Sequence, residues 1–204
     1  MIRKILMMVL MIVSTVIYAT ADTYTPRKRE FRGAWIQCVN GQFIGMSTQK
    51  MQQTLSYQLD ELQKDGVNAI FFQVRAECDA LYKSDLEPWS RFLTGKQGQA
   101  PSPMWDPLQW MIDECHRRGM ELHAWINPYR AKTKTTRALH LSHRLMKFPS
   151  SVFSYDGQFI LNPGQPRNRE YIIKVVNDIV TRYDIDGIHM DDYFYPYPVA
   201  GLQI

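Results

Sequence analysis

Two adjacent carboxylates, Asp191 and Asp192, follow a short apolar stretch near the C-terminal end of the chain. Side chains alternate along a strand, so His189, Asp191 and Tyr193 share one face of the strand that residues 186–193 predict. Acids that leave a buried strand must be paired, hydrated or used in chemistry, because burying an unpaired charge is costly. A His and an Asp at the end of a parallel strand are typical of α/β active sites. The plainer interpretation is that both acids are solvated residues that end a strand.

Length and composition describe an ordinary globular protein. The chain has 204 residues, 45% of them hydrophobic and 22% charged, which is enough for one domain with a sizeable core. The net charge of +4 is weak, and no basic stripe runs along the sequence. These features exclude a nucleic-acid-binding protein and leave acidic polymers neither favoured nor excluded.

Residues 1–21 have the features of a secretory signal peptide. Two basic residues precede an apolar run over residues 5–18, and an A-x-A cleavage site ends at Ala21. The apolar run is shorter than the roughly 20 residues that a membrane span needs. We therefore expect a mature domain over residues 22–204, exported to the periplasm or the extracellular space. Contact with a membrane is expected only through the signal peptide before its cleavage.

The three cysteines are an odd number for an exported protein. Cys38 follows the first predicted strand and Cys78 follows the second, so the two thiols could meet if these strands are neighbours. A disulfide between them is a hypothesis. Cys115 lies in a helical pattern and is predicted to be a buried thiol.

Hydrophobic periodicity predicts strands that alternate strictly with helices. The strands are expected at residues 31–39, 67–75, 120–129 and 186–193, and the helices at about 48–65, 108–118 and 168–183. Strict alternation of this kind indicates a parallel sheet with helical crossovers. The connections after the strands are long, notably residues 76–105 and 130–166, whereas those before the strands are short. A basic, helical piece at residues 138–147 and a turn at Asp156-Gly157 are expected within the second connection.

Each predicted strand has one apolar face and one polar or aromatic face. The second kind of face carries Trp35, Gln37, Phe71, Gln73, Arg75, His123, Trp125, Asn127, His189 and Asp191. These side chains can converge inside a barrel, whereas an open sheet would bury them against helices at high cost. Four strands cannot close such a barrel, which needs eight. The predicted fold is therefore an α/β (β/α)8 TIM barrel, of which this chain carries about the first half and is truncated at its C-terminus.

The chain resembles the bacterial glycosyl-hydrolase-like family ten. The matching stretches are residues 32–36, 66–75, 106–108, 123–130, 161–164 and 186–193, which together cover nearly all of the expected mature domain. The resemblance implies a (β/α)8 catalytic domain that acts on polysaccharide, with peptidoglycan glycan strands that lack stem peptides as one substrate. The chain departs from the lipoprotein members of that family because it has no anchoring Cys after its leader.

A shorter stretch, residues 187–191, is similar to the fourth-strand motif of α-amylase-type glycosidases. In that motif the Asp four residues after the Gly is the nucleophile, which projects this role onto Asp191. Glycoside cleavage needs one protonated and one ionised carboxyl group. Asp191 is the first candidate for the ionised group and Asp192 is the second.

Arg75 can hold that carboxylate ionised through charge and bidentate hydrogen bonds. Its alternative role is an ion pair with Glu77 or Asp79, which are themselves candidates for the general acid. A general acid on strands beyond this chain is the stronger expectation.

Several other side chains are candidates for binding sugar. Hydrogen bonds to hydroxyl groups are expected from His123, Asn127 and His189, and stacking on sugar faces from Trp35, Trp125, Tyr129, Tyr193 and Tyr195. The plainer interpretation of each polar residue is a satisfied core position, and that of the aromatic residues is packing.

Two other classes of function stay open. A metal-dependent barrel hydrolase would use His123, His189, Asp191 and Asp192 as ligands, although no H-x-H or H-E-x-x-H spacing is present. A non-catalytic glycan-binding fragment would need the aromatic residues but not the paired acids. We expect no metal and no cofactor. The sequence does not determine the glycan, its linkage or the oligomeric state.

Overall fold

The computed structural model describes residues 30–191, 194 and 196–202. The predicted signal peptide, Asp192, Tyr193 and Tyr195 lie outside these residues. The helices and strands are, in chain order, β1 (Gly33–Ile36), α1 (Thr48–Lys64), β2 (Ala69–Arg75), α2 (Arg91–Thr94), α3 (Pro107–Arg117), β3 (Glu121–Ile126), β4 (Arg130–Lys132), α4 (Arg144–Lys147), a 3-10 turn (Pro149–Ser151), β5 (Val152–Tyr155), β6 (Gln158–Leu161), α5 (Pro166–Arg182) and β7 (Gly187–His189).

Four strands form one parallel sheet in the order β1-β2-β3-β7, with a helix in each crossover. This arrangement confirms the predicted partial (β/α) barrel. The outer strands β1 and β7 are shorter than the sequence predicts, because each of them pairs with one neighbour only within the described residues. The central β2 is buried over its whole length.

Local signals explain where the helices begin and end. The side chain of Ser47 accepts a hydrogen bond from the backbone of Lys50 at the start of α1. Asp106 caps α3 in the same way, and Pro107 occupies the first helical position, where no backbone donor is needed. Gly66 follows α1 with a φ of 82°, a left-handed conformation that glycine adopts without strain.

The core lies between the convex face of the sheet and the helices. Fully buried members include Leu55 and Leu59 of α1, Phe72 and Val74 of β2, Leu108 and Met111 of α3, and Val175 and Ile179 of α5. The apolar strand face therefore packs on helices, as the sequence predicts. The polar and aromatic strand face is left on the opposite, concave side.

The connection between β3 and α5 differs from its prediction. A helix was expected at residues 138–147, but only Arg144–Lys147 is helical. The connection instead contains a second sheet, which is antiparallel and has the order β4-β6-β5. The predicted turn at Asp156-Gly157 is confirmed, with φ of 48° and 72° at its two residues, so it closes a tight hairpin.

In the connection between β2 and α3, the short helix α2 is present. Within the described part of the chain, no helix is both long and apolar enough to cross a membrane.

Candidate active site

On the concave face of the sheet, one residue from each of the four strands lies in the same row. Trp35, Phe71, His123 and Gly187 lie side by side in the strand register. The rings of Trp35 and Phe71 stack with their centroids 4.5 Å apart, and Phe71 lies 5.0 Å from the ring of His123. The predicted convergence is confirmed for these rings. Arg75 departs from it, because a register shift after Gln73 pairs it with Ile126 of the apolar face.

Glycine makes this row possible. A Cβ atom on Gly187 would overlap the Nδ1 atom of His123, and one on Gly33 would overlap the ring of Phe71. Neither glycine has a positive φ, so each is needed for space and not for backbone conformation. The two glycines therefore leave the space that the rings of His123 and Phe71 occupy.

His189 lies one row closer to the carboxyl ends of the strands, level with Trp125. The indole Nε1–H of Trp35 donates a hydrogen bond of 3.2 Å to its Nε2 atom. Because Nε2 accepts, the proton of the neutral ring lies on Nδ1. Partial burial lowers the pKa of His189, which also favours the neutral form.

At the carboxyl ends of the strands there is a cavity of about 510 Å³, here called the mouth groove. Its lining residues are Gln37, Val39, Gln73, Trp125, Arg130, Gln158, Asp191, Pro196 and Tyr197. They come from the ends of β1, β2 and β3, from the second sheet and from the segment after β7. Of the predicted site residues, Asp191 and Trp125 line it.

Two buried polar atoms of the groove residues have no hydrogen-bond partner among the described residues. They are the Oδ1 atom of Asp191 and the Nε1 atom of Trp125. An acceptor and a donor buried without partners are costly, so each needs a water or a polar group of a ligand to complete it. Hydroxyl groups of a sugar can satisfy both atoms, because each hydroxyl donates and accepts.

Arg75 has a different role from the predicted one. It is fully buried, and its guanidinium donates bidentate hydrogen bonds of 2.7 and 2.6 Å to Glu87. Tyr171 of α5 donates a further hydrogen bond of 2.9 Å to Glu87. Arg75 therefore does not bind substrate or hold Asp191, because its charge is neutralised by the buried ion pair with Glu87. The partner is neither Glu77 nor Asp79, the two that the sequence suggested.

Glu77 and Asp79 are also buried, and neither lines the mouth groove. Burial would raise the pKa of Glu77, but hydrogen bonds from Arg91, Thr133 and Thr136 bring it below its usual value. Burial and the neighbouring charge of Glu77 raise the pKa of Asp79 to about 6. Glu77 holds the connections after β2 and β3 together, and Asp79 accepts from Gln97 within the connection after β2, so neither is placed to protonate a leaving group.

Three further candidates are engaged by the protein itself. His123 Nε2 lies 2.9 Å from a carboxylate oxygen of Glu121, and the ring belongs to the deeper row. Asn127 is buried, and its Oδ1 atom accepts hydrogen bonds from the backbone of Tyr129 and Arg130, at 3.2 and 2.8 Å. The Tyr129 ring contacts Phe194 edge-on at 6.3 Å. None of the three lines the groove.

Among the groove residues that the sequence analysis missed are two polar ones, Arg130 and Gln158. Arg130 ends the stretch 123–130 that carries the family resemblance, and Gln158 follows the Asp-Gly turn. Both lie on the antiparallel sheet, which the sequence analysis did not predict. A hairpin prediction for residues 152–161 would have placed Gln158 on an ordered strand.

The cysteines are all free and buried. Cys38 contacts the side chain of Gln73, whereas Cys78 packs in a separate cluster with Ala131 and Leu161. The hypothesis of a disulfide between Cys38 and Cys78 is therefore wrong for this structure. Burial raises the pKa of Cys78 to about 12, so this thiol stays protonated.

Within residues 30–191, 194 and 196–202, no three His, Cys, Asp or Glu side chains gather as metal ligands. His123 is held by Glu121, and His189 accepts from Trp35. The described residues thus give the metal-hydrolase alternative no support.

Comparisons with known proteins agree with the barrel. The chain is 42% identical over 181 residues to the glycosyl hydrolase YngK of Bacillus subtilis, covering 86% of this chain and 35% of that protein. It is 42% identical over 154 residues to the glycosyl hydrolase DigH of Escherichia coli K12, covering 71% of this chain and 35% of that protein. The chain thus spans about a third of the length of these relatives.

Among solved structures, a noncanonic maltogenic α-amylase, AmyB, from Thermotoga neapolitana is similar in fold. The TM-score is 0.51 at 14% identity, over 85% of this chain and 40% of the amylase. The family model described as glycosyl hydrolase-like 10 matches residues 30–204. The chain belongs to the glycosyl hydrolase-like 10 family.

Proposed function

We propose that the protein is an exported glycoside hydrolase that acts on a polysaccharide, with peptidoglycan glycan strands as its substrate. The observation that carries this proposal is the unpartnered Oδ1 atom of Asp191 in the mouth groove, beside the unpartnered indole N–H of Trp125. The names of the relatives as glycosyl hydrolases and the barrel fold support the same class of reaction.

In this proposal Asp191 is the ionised carboxylate, and it acts as nucleophile or base on the anomeric carbon or on a water. Asp192 is the second candidate for that role. His189, neutral and with its proton on Nδ1, donates a hydrogen bond to a sugar hydroxyl. The general acid comes from the part of the barrel that the relatives have beyond the matched third of their length.

The test is turnover of peptide-free glycan strands by protein expressed from its complete gene, with released sugar as the readout. Asp191→Asn keeps the shape of the side chain but removes its charge, and we expect it to lower turnover by about a thousandfold or more. The matched control is Asp184→Asn, which removes an exposed carboxylate just before β7 and leaves turnover unchanged.

Three outcomes separate the alternatives. Loss of turnover with retained glycan binding in Asp191→Asn supports the hydrolase. Glycan binding by the wild type without turnover under any condition supports a binding module instead. Turnover that chelators abolish and added zinc restores supports the metal-dependent class.

A further inference from the structure

Arg130 at the start of β4 is a charged residue of the mouth groove. Within the part of the chain that the structure describes, its guanidinium forms no hydrogen bond or ion pair, although its backbone is well anchored. It lines the same cavity as Asp191, yet the two do not form a salt bridge. We propose that Arg130 binds the carboxylate of an acidic sugar in the groove; this inference rests on the proposed function.

The direction of the side chain follows from the strand. Ala131 is buried in the cluster with Cys78 and Leu161, so Arg130 points to the other face of the sheet. The strand register shifts after Arg130, which pairs with Ile160, whereas Lys132 pairs with Phe159 and turns to the side of that ring. The amine of Lys132 lies over the ring of Phe159, 5.4 Å from its centroid. Arg130 alone of this pair lines the groove.

The position of Arg130 is fixed by residues behind it. Its backbone N–H donates to Asn127 Oδ1 at 2.8 Å, and the carbonyl of Asn127 accepts from the guanidinium of Arg75. Arg75 is in turn held by Glu87. This series of contacts connects the buried ion pair to a residue at the groove.

The chemistry of the groove selects the ligand. A guanidinium offers a planar pair of donors that matches a carboxylate, and bidentate pairs of this kind are strong and directional. Asp191 repels a carboxylate, so an acidic sugar places its charged group toward Arg130 and its neutral ring toward Asp191. A cavity of about 510 Å³ is within the usual range for a small-molecule site, and it separates the two charges.

The experiment compares two forms of one polymer. Peptide-free glycan strands carry free carboxylates, and coupling them to methylamine converts these groups to neutral amides without changing the backbone. Binding of both forms is measured with protein expressed from its complete gene. We expect the wild type to bind the acidic form about tenfold or more tightly than the amidated form, a preference that weakens as salt rises.

Arg130→Ala is expected to lose this preference by weakening binding of the acidic form only. Lys132→Ala is the matched control, because it removes one positive charge from the same strand outside the groove and should keep the preference. Arg130→Lys should retain part of it, since an amine keeps the charge but not the planar fork. Arg130→Gln replaces Arg130→Ala if thermal unfolding shows that the alanine variant is not folded.

Equal binding of the two polymer forms by the wild type overturns the inference. So does an equal loss of preference in Lys132→Ala, or a loss in Arg130→Ala that affects both forms alike. A failure of the proposed function gives a different result. In that case the wild type still binds the acidic polymer more tightly than the amidated one, but it releases no sugar from either. Release of sugar from both forms at equal rates and with equal affinity leaves the hydrolase standing and removes the role of Arg130.

Discussion

Trp35 on the first strand of the sheet donates its indole N–H to His189 on the last, although 154 positions separate them in the chain. The same indole ring stacks on Phe71, which belongs to the strand next to β1. Because a donor faces Nε2, a second proton on that atom would meet an N–H and not an acceptor. The contact therefore favours the neutral form of His189.

Trp35→Phe tests this relationship. Phenylalanine keeps an aromatic ring against Phe71 but removes the donor, so the pKa of His189 should rise toward its ordinary value. Titration of the imidazole by NMR measures it. Trp105→Phe, in which the altered ring packs on Trp110, is the control and should leave the pKa of His189 unchanged. An unchanged pKa in Trp35→Phe would show that burial alone lowers it.

Much of the fold could be predicted because its signals are local. The caps at Ser47 and Asp106 and the periodicity of α1, α3 and α5 gave the helices to within a few residues. Alternation along the strands predicted the row of Trp35 and Phe71 correctly, but it placed Arg75 on the same face because it did not foresee the register shift after Gln73.

The partners in the site could not be predicted in the same way. Glu87, which neutralises Arg75, lies in a connection without periodicity, and nothing in the sequence marks it above Glu77 or Asp79. Arg130 becomes a groove residue only because the second sheet folds against the mouth of the first. Long-range pairings of this kind depend on tertiary geometry, which a single sequence does not record.

The buried ion pair between Arg75 and Glu87 should be sensitive to the loss of one partner. Arg75→Met leaves the carboxylate of Glu87 buried without its cation, and we expect a loss of about 3–5 kcal/mol in the free energy of unfolding. Urea denaturation measures it. Lys64→Met, which breaks the exposed pair with Glu61 at 2.6 Å, should leave stability unchanged.

A double variant checks the reason for that loss. Arg75→Met with Glu87→Met removes both charges and should recover part of the stability, because no uncompensated charge is left. A double variant that is as unstable as the sum of the two single variants would mean that the cost comes from packing. Such a result would remove the ion pair as the cause.

Asp79 gives the protein a pH dependence of defined sign. Its pKa in the folded state is raised to about 6, so the folded protein binds this proton more tightly than the unfolded chain does. The resulting stabilisation is complete below the ordinary carboxyl pKa and is lost as pH rises to about 6. A shift of this size corresponds to about 3 kcal/mol.

Asp79→Asn isolates this contribution, because asparagine does not titrate. The difference in unfolding free energy between the wild type and Asp79→Asn should change in favour of the variant between pH 4 and pH 7. His143, whose pKa is lowered, contributes with the opposite sign in both proteins and cancels in the difference. Glu77 is coupled to Asp79 by charge, so the difference reports the titration of the two carboxyls together. A difference that stays constant over this range would contradict the raised pKa.

Gly187 should not tolerate a side chain. In Gly187→Ala the new methyl group overlaps the ring of His123, and we expect a loss of about 1–3 kcal/mol in unfolding free energy. His123→Ala in the same protein should relieve the overlap, so a double-mutant cycle would give a large coupling energy. Additive losses would show that the cost of Gly187→Ala has another origin.

Trp125 allows binding to be separated from stability. Its Nε1–H has no partner among the described residues, so Trp125→Phe removes a buried donor that the fold does not use. We expect the unfolding free energy to change by less than about 1 kcal/mol, because the lost contact area and the relieved burial penalty offset each other. Affinity for peptide-free glycan strands should fall about tenfold, measured by the same binding assay.

Trp35→Phe is the control for stability. That change removes the hydrogen bond from Trp35 to His189, which the fold makes, so it should lower the free energy of unfolding. A Trp125→Phe protein that binds glycan normally would mean that this buried donor does not contact the ligand.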